Sequence, residues 1–230
     1  MLVFGKNVVN EILKNNQKIH KAYIDKRFND ESIISALQNL NVDIKYSSKF
    51  ELDRLANGNH QGIIVSIPDY KYHDVDEMYA DDALIVILDH LEDPHNFGAI
   101  IRTCEAAGVN GIIIPKDRSV EVNSTVMKVS AGALEHIKVA MVTNLVNTIK
   151  ELKKEGFWIV GTDMNGTDYT QIDYKGKVAI IVGNEGSGMS RLVTESCDFI
   201  ATIPMRGKIN SLNASVATGV VVYEAVKTRK

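Results

Sequence analysis

An α/β protein whose larger part is a parallel sheet is predicted by three observations. From Ala83 onward, short unbroken runs of Val and Ile alternate with segments of helical period, which is how strands buried on both faces of a parallel sheet read. Before Pro68 a smaller stretch repeats a helix-then-strand pattern three times. Between the two, residues 68–82 lose any sustained apolar period and carry seven acidic or basic side chains besides a proline, which reads as a linker with one short helical turn.

In order, residues 5–15 form a helix with Val8, Val9, Ile12 and Leu13 on one face, followed by the strand Lys21-Ala-Tyr-Ile-Asp25. A helix over 31–40 leads to the strand 42–46. A helix over 48–56 leads through Asn57-Gly58-Asn59 to the strand Gly62–Ile67. In the larger part the strands are 84–88, 111–114, 137–141, 157–160, 178–182 and 199–203, with helices between them. A doubly wound sheet of this kind binds its ligand beyond the carboxyl ends of its strands.

The composition is that of a globular protein, with 45% hydrophobic and 24% charged residues. No apolar run approaches the roughly 18–20 residues of a membrane span, and Met1-Leu-Val-Phe leads into a patterned helix, so a cytosolic protein is expected. Cys104 and Cys197 lie far apart in apolar surroundings, as core thiols do. The net charge of −3 argues against indiscriminate nucleic-acid binding. Its distribution is uneven, however: residues 1–68 carry +2 and the rest −5. Lys14, Lys18, Lys21, Lys26 and Arg27 supply much of the N-terminal excess and are either a solvated face or a place to meet phosphates.

Three loops leave the strand ends with unusual chemistry. The first, 89–98, contains Asn96 and runs into a helix whose first turns hold Arg102; alternatively Asn96 is a helix cap and Arg102 a surface residue. His90, Asp93 and His95 match no zinc spacing, and no metal is expected. The second, Gly183-Asn-Glu-Gly-Ser-Gly-Met-Ser190, has GxxGxG spacing rather than the dinucleotide GxGxxG, lacks a phosphate-loop lysine, and carries Glu185, which would repel a pyrophosphate. An adenosine-type ligand without phosphates fits it better, and a nicotinamide-dependent Rossmann enzyme fits poorly. The third loop, between the strand ending at Ile203 and the apolar C-terminal helix, is polar, with Ser211 or Asn213 available as a helix cap.

Asp93-Pro-His-Asn-Phe-Gly-Ala-Ile-Ile-Arg102, Ile181-Val-Gly-Asn-Glu-Gly-Ser-Gly-Met-Ser190 and Ile203-Pro-Met-Arg-Gly207 with Ser211-Leu-Asn-Ala-Ser215 resemble, in order, the three motifs of the SpoU (TrmH-like) RNA 2′-O-ribose methyltransferases of the SPOUT superfamily. The resemblance covers residues 84–226; Ala214 stands where the family commonly has valine. Phe4-Gly-Lys-Asn-Val-Val-Asn-Glu-Ile-Leu13 and His60-Gln-Gly-Ile63 resemble the L30e-like RNA-binding domain that precedes the catalytic domain in the RlmB-type 23S rRNA guanosine-2′-O methyltransferases. The expected organisation is an L30e-like domain at 1–67, a linker at 68–82 and a SPOUT domain at 83–230.

This resemblance implies a C-terminal trefoil knot, a homodimer, and S-adenosylmethionine as cofactor, used on a guanosine ribose of structured RNA. It implies cofactor contacts at Gly183, Ile203 and Leu212, and an active site containing Asn96, Arg102, Glu185, Ser211 and Asn213. Ser130-Ala-Gly-Ala133 also matches a family stretch. Arg102 is the family's proposed general base, yet a guanidinium stays protonated, so a clamp for phosphate or developing alkoxide is the physically easier role. For RNA contact the N-terminal candidates are Lys6, Asn7, Lys14, Lys18, Lys21 and Arg27. A tRNA enzyme and a catalytically silent dimeric RNA-binding protein are the competing expectations.

Overall fold

The computed structural model describes residues 1–56 and 58–229, and the chain divides into two compact units. One comprises Met1–Lys71 with Val122–Lys128, and the other Tyr72–Glu121 with Val129–Lys230. Asn57 of the expected turn lies outside the described residues.

The smaller unit starts with a strand that lacks a sequence signal. Strand β1 (Leu2–Phe4) precedes helix α1 (Lys6–Lys14), β2 (Lys21–Asp25), α2 (Glu31–Asn39), β3 (Asp43–Ser47), α3 (Lys49–Leu55) and β4 (Ile63–Ser66). The sheet runs β1-β4-β2-β3, with β4 antiparallel to both neighbours and β2 parallel to β3. Local chemistry sets the helix starts. Asp30 caps α2, and Ser48 with Glu51 forms a reciprocal capping box on α3. Val8, Val9 and Ile12 of α1 and Ile33 and Leu37 of α2 pack with Ala22, Ile24, Ile63 and Val65 of the sheet.

The larger unit contains β5 (Leu84–Asp89), α4 (Pro94–Ala106), β6 (Gly111–Pro115), β7 (Lys138–Val142), α6 (Leu145–Lys154), β8 (Trp158–Asp168), β9 (Val178–Gly183), α7 (Arg191–Glu195), β10 (Phe199–Thr202) and α8 (Ala214–Thr228). Helix α5 (Ser124–Ser130) lies across the division between the units in the sequence. All strands of the larger sheet are parallel, in the order β10-β8-β9-β5-β6-β7. Ile85, Ile87, Ile113, Ile159 and Ile181 are fully buried in its core. Within this unit Val75–Met78 forms a single 3-10 turn, and buried Met78 lies against Gly111, where a Cβ would sit 2.3 Å from its Sδ.

From β5 the chain crosses to β6 and β7 on one side, then to β8, β9 and β10 on the other. The carboxyl ends of β5 and β9 therefore flank the point where the winding reverses, which is where open α/β sheets bind ligands. Strand β8 extends to Asp168, well beyond the expected 157–160, because polar Thr167 and Asp168 pair with Ala201 and Thr202 after an irregularity between Ile200 and Ala201. Among the described residues no helix is long and apolar enough to cross a membrane.

Candidate active site

Asp89 and Gly183 are register partners at the ends of β5 and β9. The Asp89 carboxylate is 1% exposed, and both its oxygens are used: one accepts from the Ser190 backbone N–H at 2.6 Å, the other lies 2.5 Å from His90 Nδ1. A buried carboxylate is tolerated only when satisfied in this way, and here it ties the first loop to the second. Asn184 extends the tie. Its Nδ2 donates to the His90 carbonyl at 2.8 Å, its Oδ1 accepts from the N–H groups of Gly186 and Ser187, and its backbone exchanges two hydrogen bonds with Gly188. The loop folds back so closely that a Cβ on Gly183 would lie 2.3 Å from the Gly188 carbonyl carbon and 2.4 Å from the Met189 nitrogen, which makes glycine obligatory there.

Asp93 and Pro94 decide where α4 begins. Asp93 caps the helix by accepting from the His95 N–H at 2.8 Å, and Pro94 takes the first helical position, where its missing N–H costs nothing. The helix therefore starts at 94 rather than 99. Asn96 lies inside its first turn, buried, instead of capping it. Its amide is held at both ends: Nδ2 donates to Glu185 Oε1 at 2.7 Å, and Oδ1 accepts from Asn213 Nδ2 at 2.9 Å. Asn213 also caps α8, its Oδ1 accepting from the Ser215 N–H at 2.9 Å. Asn213 thus fills the helix-cap role expected of it, and its Nδ2 is spent on Asn96. The chain Asn213–Asn96–Glu185 joins all three loops, and only one orientation of the Asn96 amide serves both a carboxylate and an amide donor.

Beside this chain lies a cavity of about 340 Å³. Gly183, Glu185, Ile203, Ser211 and Leu212 all line it, joined by Asp163 from the extended part of β8. Val182, Ala201, Ile203, Leu212 and Ala217 make its apolar wall, while among the described residues Asp163 and Glu185 are the ionisable ones that line it. Apolar walls with two carboxylates suit a flat, uncharged ring system attached to a cationic group, and suit a pyrophosphate poorly.

A sequence profile of the SpoU rRNA methylase family matches residues 83–223, and one of the RNA 2′-O ribose methyltransferase substrate-binding domain matches residues 2–73. The chain belongs to the SpoU rRNA methylase family. A protein of Bacillus subtilis strain 168 named for the TrmH family of tRNA/rRNA methyltransferases, YacO, is 42% identical over 237 residues, covering 99% of this chain and 95% of its own. Among solved structures, the SpoU methyltransferase AviRb of Streptomyces viridochromogenes, crystallised with AdoMet, superposes with a TM-score of 0.85 at 24% identity, covering 99% of this chain and 89% of that one. The AdoMet-bound rRNA methyltransferase of Sinorhizobium meliloti gives a TM-score of 0.80 at 26% identity, covering 98% and 86%.

In this SpoU chain Arg102 stands apart from the other candidates. With α4 starting at Pro94, it falls in the third helical turn, exposed and absent from the cavity lining. Six residues beyond Asn96, it is displaced by about 9 Å along the axis and about 120° around it. Among the described residues no carboxylate pairs with it.

The N-terminal candidates separate into two groups, because α1 runs back along β2. Lys6, Asn7 and Arg27 lie at one end, where the Lys6 ammonium is 3.3 Å from Asp30 and 4.9 Å from the Phe28 ring centroid. Gln61 joins them, its Oε1 accepting from the Lys6 N–H at 2.9 Å, so the two resembling segments meet there. Lys14, Lys18 and Lys21 lie toward the other end. Lys14 pairs with Glu11, Arg27 with Asp25, and Lys21 with Asp43, whose carboxylate raises the Lys21 pKa. Asn7 and Lys18 are exposed.

Asp89, Asn184 and Asp163 are site residues that sequence reasoning missed. Asp89 carried a signal, an acidic residue closing an otherwise apolar strand. Asp163 carried none, because the polar end of β8 reads as loop.

Proposed function

We propose that this protein transfers the methyl group of S-adenosylmethionine to a ribose 2′-hydroxyl in structured RNA, a guanosine of the large-subunit (23S) rRNA. The observation that carries the reading is the Asn213–Asn96–Glu185 chain, which brings one polar residue from each motif to the edge of a cavity with apolar walls and a carboxylate lining. The cavity fits the cofactor: Ile203, Leu212 and the Gly183 backbone offer an apolar slot with polar edges for an adenine, and Asp163 and Glu185 offset a positive charge. When bound, the cofactor supplies an activated methyl on a sulfonium, so no metal is needed for the electrophile.

The protein's own contribution is positioning and charge. Glu185 has Oε1 committed to Asn96, which leaves its second oxygen for the 2′-hydroxyl or the cofactor. Ser211, exposed in the same lining, offers its hydroxyl to the ribose. Arg102, exposed and without a carboxylate partner among the described residues, clamps an RNA phosphate with its forked donors, outside the cavity that holds the cofactor. The N-terminal unit, through Lys6, Asn7, Lys14, Lys18, Lys21 and Arg27, selects the RNA. An rRNA target is favoured over tRNA by the likeness to an rRNA methyltransferase across 98% of the chain, where two similar tRNA enzymes cover 66% and 64% of it.

The same reading includes a cytoplasmic homodimer and the knot implied by the resemblance. Support for the dimer comes from α8, which buries Val221, Val222 and Ala225 yet leaves Val216 52% and Tyr223 52% exposed, an apolar helix with an uncovered side. Mapping 2′-O-methyl positions in RNA from cells with and without the protein tests the substrate. Loss of a single guanosine methyl in the large-subunit rRNA is expected, and loss confined to tRNA would overturn the choice.

A further inference from the structure

Next to the cofactor cavity, sharing Asn184, Ser187 and Gly188 as a wall, is a second and more polar cleft of about 490 Å³. It is lined by Arg118 and Arg191, and by His90, Asp89 and Glu92 from the first loop. Two of these residues have left-handed backbones, His90 with φ 59° and Arg118 with φ 51°. Such conformations are uncommon for residues other than glycine, and for a long side chain such as arginine they persist where the surroundings hold them. The fixing contacts are visible. His90 is held by Asp89 through Nδ1 and by Asn184 through its carbonyl, while the turn after Arg118 is pinned to the Leu91 carbonyl by the Ser119 hydroxyl at 3.1 Å and the Val120 N–H at 2.7 Å.

The turn is thus rigid, and the guanidinium it carries is exposed with no hydrogen bond or ion pair among the described residues. Arg191 is 78% exposed and meets only Glu195, at 2.7 Å, an ion pair that water screens. Of the two acids in the cleft, Asp89 is already satisfied, leaving Glu92 as the exposed negative charge. An unpartnered guanidinium on a tied-down turn, with a second one in the same lining, suits a planar or tetrahedral oxyanion that can take two parallel hydrogen bonds.

We propose that this cleft takes a backbone phosphate of the RNA substrate close to the methylated nucleotide, with Arg118 as its principal ligand and Arg191 as its second. The site rests on the RNA-methylation reading above and adds to it a point of substrate contact on the catalytic unit itself. It also gives the second loop two faces, one toward the cationic cofactor and one toward the polyanion.

The test is the affinity of the full-length protein for deproteinised 23S rRNA over a series of salt concentrations, for wild type, Arg118→Gln and Arg191→Gln, with calorimetry of S-adenosylmethionine alongside. Arg118→Gln is expected to weaken RNA binding by about three- to tenfold and to lower the salt slope by about one, as loss of one phosphate contact does, while cofactor affinity stays within about twofold. Arg191→Gln should act in the same direction and less strongly. Arg118→Gly, which the left-handed turn accepts without strain, must weaken RNA binding like the Gln variant; this separates lost charge from misfolding. Competition by millimolar inorganic phosphate that abolishes the difference between wild type and Arg118→Gln supports an oxyanion at this cleft. Unchanged RNA affinity and salt slope in both Arg118 variants, with a wild type that binds and methylates RNA, would overturn the site while leaving the function intact. A wild type that neither binds nor methylates RNA overturns the function, and the site with it.

Discussion

The cavity beside Gly183 and the cleft beside Arg118 share one wall but differ in charge. Among the described residues the ionisable lining of the first is Asp163 and Glu185, while the second holds two guanidiniums beside His90, the satisfied Asp89 and the exposed Glu92. Between them run Asn184, Ser187 and Gly188, neutral residues whose polar groups are largely spent on each other. The comparison teaches that one glycine-rich loop, with its own groups internally satisfied, can border two cavities of different lining. On the proposed function, a cationic cofactor and an anionic RNA meet across it.

The largest effect is expected from Gly183→Ala, whose Cβ would overlap the Gly188 and Met189 backbone and displace the shared wall. Cofactor affinity measured by calorimetry should fall by about a hundredfold or more, the scale of a displacement near 1 Å in a positioned site. RNA affinity should fall with it; if RNA binding were untouched, the two cavities would not be coupled through that wall. Next is Asn96→Ala, which leaves the Glu185 carboxylate and the Asn213 amide without their partner. Single-turnover methyl transfer should drop by about 10²–10³, with a stability loss of about 0.5–1.5 kcal/mol in urea, since Glu185 and Asn213 are exposed to water. A comparable loss in cofactor affinity instead would make the chain a binding device only.

Arg102→Lys keeps the charge and removes the fork. Turnover should fall by about tenfold or more with RNA affinity largely kept, and near-normal turnover would exclude a role for the guanidinium geometry. The smallest effect belongs to Asp163→Asn, which removes one of the two cavity carboxylates from an exposed position. Affinity for S-adenosylmethionine should weaken by about two- to fivefold, the scale of a solvated charge, while S-adenosylhomocysteine, which lacks the sulfonium, should bind as before. Equal weakening of both would show that Asp163 acts by shape.

Much of the larger sheet was legible because its strands are unbroken Val and Ile, and burial on both faces leaves nothing else to be. Strand β1 was not, since three residues joined to β4 only by tertiary pairing have no period of their own. The far end of β8 was missed for a related reason: Thr167 and Asp168 are in a strand only because β10 lies beside them. Within the site, the three motif loops were found, and Asn96, Glu185 and Asn213 do meet. The start of α4 was misjudged although Asp93-Pro94 signalled it, and that shift moved Arg102 from the first turns to the third. Arg118 was passed over because a left-handed arginine cannot be told from any surface arginine until its φ is known.

The central claim, a methyl placed on a ribose oxygen, is tested most directly by chemistry on the product. Purified protein is incubated with S-adenosylmethionine labelled in the methyl group and with 23S rRNA lacking its modifications, and the RNA is then digested to nucleosides. The account predicts label in 2′-O-methylguanosine, appearing about 10²–10³-fold more slowly with Asn96→Ala. Label on a base, or none in rRNA under conditions where the protein binds it, would contradict it.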